Sequence, residues 1–323
     1  MSFSLVSRRK VRRSLVNANA NPTHAQRRVV LITGCSAGGI GHHLALEFAA
    51  QGWQVYASAR NLHKLDEKQL REYGVSMVEL DVTSDASVEA AVSRVVRETG
   101  GTIDMLVNNA GQSCVGPTVE VGLDRVQQLF DVNFTGTVRL CQVVAPYMMD
   151  RRQGTIVNVG SVSAYAATPW VGHYAASKAA VHAFSDSLRV ELAPFGVHVV
   201  VLAPGSVKSN LVDRHLEREG PVSTNSRYRD AWAAIREKSQ LGRADGSEGA
   251  AFARKVVPGL SRAEDRRGRS PAAYVTQGRR SAAAWLVYFV PPAIRDPLFA
   301  RRFGTRKLAQ VLEHQQHQQP FQS

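Results

Sequence analysis

The sequence predicts an α/β protein, a doubly wound parallel sheet of about seven strands with helices on both faces, from three observations. Short apolar, β-branched runs alternate with helical patterns from Val29 to Val201. The first of these runs stops in a glycine-rich turn that leads into a helix. No obvious interruption divides the 323 residues, so one enlarged domain with a C-terminal extension is expected rather than two.

The opening strand, Val29-Val30-Leu31-Ile32-Thr33-Gly34, runs into Cys35-Ser36-Ala37-Gly38-Gly39-Ile40-Gly41. Glycines let such a backbone turn tightly and approach a pyrophosphate, whose charge meets the N-terminus of the helix beginning near Ile40. That helix carries Leu44, Leu46, Phe48 and Ala49 at helical spacing. A strand, turn and helix in this order is the Rossmann-type nucleotide-binding arrangement. The second strand, Trp53 to Ala59, ends in Arg60. An acid there would accept hydrogen bonds from the ribose of NAD, whereas a base meets a 2′-phosphate, so NADP(H) is the expected cofactor. The third strand ends in Asp81, which either bonds an adenine ring or serves a turn or helix cap.

A central strand follows, Ile103-Asp104-Met105-Leu106-Val107, and runs into Asn108-Asn109-Ala110-Gly111. Amides here tie neighbouring strand ends together or border the cofactor. Asn133 is an amide within a mostly apolar helical stretch, where it needs partners and could hold a water. In Tyr174-Ala175-Ala176-Ser177-Lys178, four residues place the phenol and the ammonium on one helical face, with Ser161 thirteen residues upstream of Tyr174. A phenol of pKa about 10 is a poor proton donor at neutral pH, and an adjacent ammonium is expected to lower it. The Ser161 hydroxyl would hold a substrate carbonyl in line. After the strand Val197 to Leu202 come Pro204-Gly205, then a polar stretch with helices expected near Tyr228 to Lys238 and Glu248 to Val257. Ala272 to Thr276 is the expected last strand.

With this series of motifs, residues 29 to about 210 resemble the short-chain dehydrogenase/reductase family. The resemblance implies Tyr174 as general acid in carbonyl reduction and Lys178 as its electrostatic partner, bonded also to the nicotinamide ribose. It implies Ser161 as the group that polarises the carbonyl and Asn133 as holder of a relay water. Thr33, Gly34, Ser36, Gly39, Ile40, Gly41, Arg60, Asp81, Asn108, Pro204, Gly205, Val207 and Ser209 are implied to bind the cofactor, Ser209 standing where the family usually has Thr. The segment after Gly205 is implied to close over the substrate. The family spaces its turn Thr-Gly-x-x-x-Gly-x-Gly, and Gly38-Gly39-Ile40-Gly41 contains one extra residue. This variant turn is similar to that of the fungal NADPH-dependent 1-acyldihydroxyacetone-phosphate reductase group. So are Phe252 to Val257, Gly278-Arg279-Arg280, Trp285-Leu286-Val287 and Arg301-Arg302-Phe303-Gly304. A lipid ketone of that kind is the substrate this implies, with a polyketide, terpenoid or steroid-like carbonyl as the alternative.

The expected divisions are a basic arm over residues 1–28, an NADP-binding catalytic domain over 29–278 with a substrate lid at about 206–268, and a basic and apolar tail over 279–323. Charge follows the same divisions. Residues 1–28 carry seven bases and no acid, 29–207 twelve bases and sixteen acids, and 208–323 twenty-one bases and eleven acids. Basic flanks around an acidic core point to an anionic surface or substrate. Nucleic acid is disfavoured, because the bases lack interleaved aromatics and no reading motif appears. Cys35, Cys114 and Cys141 have neither metal nor disulfide spacing, and the histidines form no metal set, so no metal is expected.

The arm has no long apolar stretch, unlike a secretory signal, but its Arg-rich, acid-free character suits a mitochondrial presequence as well as a solvated arm. The apolar segment Ala282 to Ile294 is thirteen residues long with two prolines, too short to span a bilayer. It is expected either to lie in a membrane interface, with Arg279, Arg280, Arg295, Arg301 and Arg302 meeting acidic lipid, or to cover the substrate pocket. The resemblance favours the endoplasmic reticulum surface or a lipid droplet over the cytoplasm or mitochondrion, and a homo-oligomer.

Overall fold

Residues 27–209, 211, 225–262 and 271–318 are described in a computed structural model. The basic arm up to residue 26, residues 210, 212–224 and 263–270 of the expected lid, and the last five residues lie outside the described chain.

Seven strands form one sheet: β1 (Val29–Ile32), β2 (Gln54–Ala59), β3 (Ser76–Glu79), β4 (Met105–Asn108), β5 (Gly154–Val159), β6 (Val197–Pro204) and β7 (Tyr274–Gln277). Their order is β3-β2-β1-β4-β5-β6-β7, and every pairing is parallel. The order reverses between β1 and β4, and in open sheets of this kind ligands bind in the crevice at that switch point, beyond the carboxyl ends of the strands. β5 is the strand that sequence patterning did not single out, although its six residues are all buried.

Alternate residues of a strand point to opposite faces, and each face of this sheet has its own core. Val30 and Ile32 pack with Leu44 and Phe48 of α1 (Ile40–Ala50) and with Phe252 and Val256. Val29 and Leu31 pack on the other face with Val88, Val92 and Val95 of α3 (Asp85–Thr99). Leu140, Val144 and Met148 complete that second core. α2 (Glu67–Glu72), its first turn capped by Asp66, adds Leu70 to the first core. Cys35, Cys114 and Cys141 are buried and form no disulfide among the described residues.

The stretch around Asn133 is not a continuous α-helix. A five-residue π-helical turn, Asp131–Thr135, joins α4 (Leu123–Phe130) to α5 (Gly136–Arg151). Such single turns concentrate at functional sites. The long helix α6 (Gly172–Leu192) carries Tyr174 and Lys178. Beyond β6 come α7 (Trp232–Ala244) and α8 (Gly249–Leu260), which includes Phe252 and Val256. After β7 the chain ends in α9 (Ser281–Tyr288), α10 (Pro292–Arg302) and α11 (Thr305–Gln318). None of the described helices is long and apolar enough to cross a membrane.

Candidate active site

The glycine turn is held by contacts that exclude side chains at two of its positions. Gly34 has φ +72°, and a Cβ there would lie 2.7 Å from the Ala110 Cα. A Cβ on Gly41 would lie 2.4 Å from the Asn109 amide nitrogen. The Asn109 amide donates to the carbonyl oxygens of Thr33 and Gly34, while the amides of Asn109 and Ala110 both donate to the Thr33 hydroxyl. β1 and β4 are thereby tied at their carboxyl ends. The extra residue is accommodated in a tight turn closed by Gly39 N–H donating to Ser36 O at 2.9 Å, with the exposed Gly38 at φ +69°. The N-terminus of α1 then has no side-chain cap and no acid in its first turn. Its amide donors stay available for an anion, so the turn fits a dinucleotide pyrophosphate.

A cavity of about 990 Å³ runs from this turn across the sheet ends. Its lining includes Gly34, Ser36, Gly39, Ile40, Arg60, Asp81, Ser161, Tyr174, Pro204, Gly205, Val207 and Ser209. Thr33, Gly41, Asn133 and Lys178 are buried and are not among its lining residues. Asn108, expected at the cofactor, faces the core instead. Its amide donates to Asn158 Oδ1 at 2.9 Å and to the Cys141 sulfur, joining β4 to β5, and the amide that lines the cavity is Asn109. At the far end, Asp81 Oδ1 accepts from the backbone and hydroxyl of Thr83. Burial raises the Asp81 pKa, but these hydrogen bonds and the charges of Arg60 and Arg139 bring it below the usual carboxylate range. The cavity thus has an anionic Asp81 with the cations Arg60 and Lys64 beside it.

Ser161 follows β5 in extended backbone conformation, and its Oγ accepts from Ser163 N at 3.1 Å. Ser161 and Tyr174 line the cavity together, near enough for the hydroxyl to act on the phenol. Lys178 is buried and donates to the carbonyl oxygen of Val159 at 2.8 Å. The expected lowering of the phenol pKa is not found. Burial raises the Tyr174 pKa, opposed only by the Ser161 hydroxyl, and burial depresses Lys178 itself to about 8. Seclusion from water disfavours the charged form of both groups. Asn133 is completely buried: its Oδ1 accepts from Gln112 N at 2.7 Å, and its amide donates to Gln112 O and Ser177 Oγ. Ser177 in turn donates to the Tyr174 carbonyl oxygen. The π-helical turn therefore braces the catalytic helix through Asn133.

Two residues here carry no sequence signal of their own. His182 lies one turn beyond Lys178, and its Nε2 accepts from Ser161 N at 3.4 Å. A Cβ on Gly160 would reach within 2.0 Å of that nitrogen, so only glycine lets the strand end settle on the imidazole. Trp170 has φ +73°, an uncommon conformation for a bulky residue. Its indole donates to the carbonyl oxygen of Phe303 at 2.8 Å, which fixes the C-terminal helices over the cavity.

Ala283, Ala284 and Val287 of α9, with Phe299 and Phe303, form the apolar roof. Arg279 and Arg280 line the cavity too, and both pair with Asp245. The cover expected of the tail is therefore present. Gly205 is locked beneath it, since a Cβ there would lie 2.4 Å from the Arg279 carbonyl oxygen.

A switch-point crevice, a pyrophosphate-binding turn and Ser161 with Tyr174 in the crevice wall define a dinucleotide-dependent oxidoreductase. Residues 28–220 match the family model described as short chain dehydrogenase. The chain belongs to the short-chain dehydrogenase/reductase family and is an oxidoreductase acting on CH–OH and C=O groups with a nicotinamide cofactor. A short-chain dehydrogenase of Penicillium ochrochloron is 36% identical over 286 residues, covering 86% of this chain and 99% of the relative. The NADPH-dependent 1-acyldihydroxyacetone phosphate reductase of Schizosaccharomyces pombe is 40% identical, over 62% of this chain and 68% of the relative. A short chain dehydrogenase/reductase from Burkholderia phymatum, solved in complex with NAD, superposes with a TM-score of 0.66 at 26% identity, covering 78% of this chain and 89% of that one.

Proposed function

We propose that this protein is an NADPH-dependent reductase of a lipid ketone such as 1-acyldihydroxyacetone phosphate, with Tyr174 as general acid. The observation that carries this reading is that Ser161 and Tyr174 stand together in the wall of a cavity that has cations at one end and an apolar roof at the other. NADPH, when bound, supplies the hydride for the carbonyl carbon. Arg60 and Lys64 are the cations for its 2′-phosphate, the turn from Gly34 to Gly39 holds its pyrophosphate, and Pro204, Gly205, Val207 and Ser209 border its nicotinamide half.

The Ser161 hydroxyl, pinned by Ser163 N, donates to the substrate oxygen and aligns it with the phenol. Tyr174 gives its proton to that oxygen as charge develops there, and the product is an alcohol. Lys178 keeps its proton below about pH 8 and stabilises the phenolate that remains. Asn133 and Ser177 fix the first turns of α6, so the phenol does not drift from the hydroxyl. The test is NADPH oxidation with 1-acyldihydroxyacetone phosphate against a panel of bulky ketones. Turnover of the lipid ketone supports the reading, and turnover confined to polycyclic or polyketide-like ketones replaces it.

The same tail is proposed to rest on a membrane surface, that of the endoplasmic reticulum or a lipid droplet. Trp285, Leu286, Tyr288, Phe289, Ile294 and Leu298 are exposed on the outer side of α9 and α10, whose inner side roofs the cavity. Helices apolar on both faces have a second environment to meet. Arg301, Arg306 and Lys307 make no ion pair among the described residues and would face anionic headgroups. Flotation with vesicles containing phosphatidylserine tests this: a Leu286→Ser/Phe289→Ser variant is expected to leave the vesicle fraction, and unchanged flotation would refute the contact.

A further inference from the structure

Lys238 is a cation that the reaction as described does not use. It lies on α7, lines the cavity together with Ser239, Arg279 and Arg280, and holds its ammonium 4.8 Å from the centroid of the Phe303 ring. Around it, Arg302 is paired with Glu237, while Arg279 and Arg280 share one acid, Asp245. Lys238 itself has no ion-pair partner among the described residues. Three cations against one carboxylate leave a surplus of two positive charges on the cavity wall. The Arg279 and Arg280 side chains are exposed, whereas Lys238 is largely withdrawn from water. Burial, with the charges of Arg302 and Arg280 added, depresses Lys238 to about 8. A charge buried without a counter-ion is costly, and an incoming anion removes the cost.

The surroundings set the rest of the ligand. The wall beside these cations is the roof of Ala283, Ala284, Val287, Phe299 and Phe303. A neutral polycyclic ketone would bury the ammonium with nothing opposite it. A free small anion would leave the apolar roof wet. An amphiphile carrying a compact dianion satisfies both.

We propose that Lys238, Arg279 and Arg280 form an anion subsite that holds the phosphate monoester of an amphiphilic substrate, its hydrocarbon part lying under α9 and α10. The inference rests on the lipid-ketone reading and adds to it the residues that select a phosphorylated lipid. The guanidinium groups, anchored by Asp245, would present fixed donors, and the Lys238 ammonium, cushioned by Phe303, would close on the phosphate from α7. The cations at Arg60 and Lys64 sit beside Asp81, at the other end of the nucleotide crevice, and so serve a different phosphate.

The test is a binding measurement that needs no turnover. The full chain, saturated with NADPH, is titrated calorimetrically with octyl phosphate below its micelle concentration, and separately with 1-octanol. Wild type is expected to bind octyl phosphate at least tenfold more tightly than octanol. Lys238→Met, which keeps the apolar stem, is expected to lose tenfold or more in octyl phosphate affinity with less than a twofold change for octanol, and Lys238→Arg to retain most of the preference. An equal affinity of wild type for the two probes would overturn the subsite, as would an unchanged preference in Lys238→Met. A parallel loss of NADPH affinity in Lys238→Met would reassign the lysine to the cofactor and equally overturn it. Carbonyl reduction by the wild-type protein is read separately, so the subsite can fail while the reductase reading stands.

Discussion

The indole of Trp170 donates a hydrogen bond to the carbonyl oxygen of Phe303, joining residues 133 positions apart in the chain. Trp170 stands four residues before Tyr174, and Phe303 packs in the same small cluster as Val171, Ile235, Leu308 and Tyr174. The tail is therefore part of the catalytic layer, whatever its outer face rests on. Removing residues from Phe303 onward is expected to lower the melting temperature by several degrees and to reduce turnover of a water-soluble ketone at least tenfold. Trp170→Phe keeps the ring and removes the donor, and should cost about 1 kcal/mol in chemical denaturation. Full activity in the truncated protein would mean that the tail serves the membrane alone.

Tyr174→Phe removes one oxygen from the site. General acid catalysis is worth about 10²- to 10⁴-fold, and kcat is expected to fall by at least that much while the NADPH dissociation constant changes less than threefold. Stopped-flow turnover and a fluorescence titration read the two quantities. Because burial raises the Tyr174 pKa and depresses Lys178 to about 8, the catalytically useful pairing of charges is expected to develop only as the phenol gives up its proton. Lys178→Met should therefore lower kcat by tenfold or more.

Arg60 is exposed at the end of β2 and lines the cavity beside Asp81. A hydrogen bond to a charged group contributes about 1.5–3 kcal/mol, so Arg60→Ala is expected to weaken NADPH about 10- to 100-fold and to leave NADH nearly unaffected. Dissociation constants for both nucleotides decide it. Equal effects on the two would mean that the arginine meets no 2′-phosphate.

Sequence pattern revealed what is local and little of what folding brings together. Tyr174 and Lys178 share a helical face, and the run from Val29 to Gly34 ends where a turn must begin, so both were legible. The Asn108–Asn109 pair was not, because one step along a strand reverses the side chain's face and the point where β4 ends is set by its pairing with β5. The π-helical turn at Asn133 hid in an apolar stretch whose spacing reads as plain helix. The raised pKa of Tyr174 arises from burial, which a four-residue spacing cannot express. Lys238 sits in a polar helix that reads as solvated, and the Phe303 ring that folding brings beside its ammonium is 65 residues away in the chain. His182 gave no signal at all: its meaning comes from Gly160, twenty-two residues earlier, having no side chain.

His182 gives the clearest prediction for stability against pH. Burial lowers its pKa from 6.5 to about 4, with the nearby Lys178 charge adding to the effect and Asp186 opposing it. Between those two values the unfolded chain binds a proton that the folded chain does not, so the folded state loses stability as pH falls through this window and keeps it in full above 6.5. The loss between pH 7 and pH 5 is about 2 kcal/mol from this one group. His182→Gln preserves an acceptor for Ser161 N and removes the titration. Denaturation midpoints measured from pH 7.5 down to pH 4.5 should fall less steeply for the variant than for wild type, and parallel curves would show that the imidazole does not resist protonation in the folded protein.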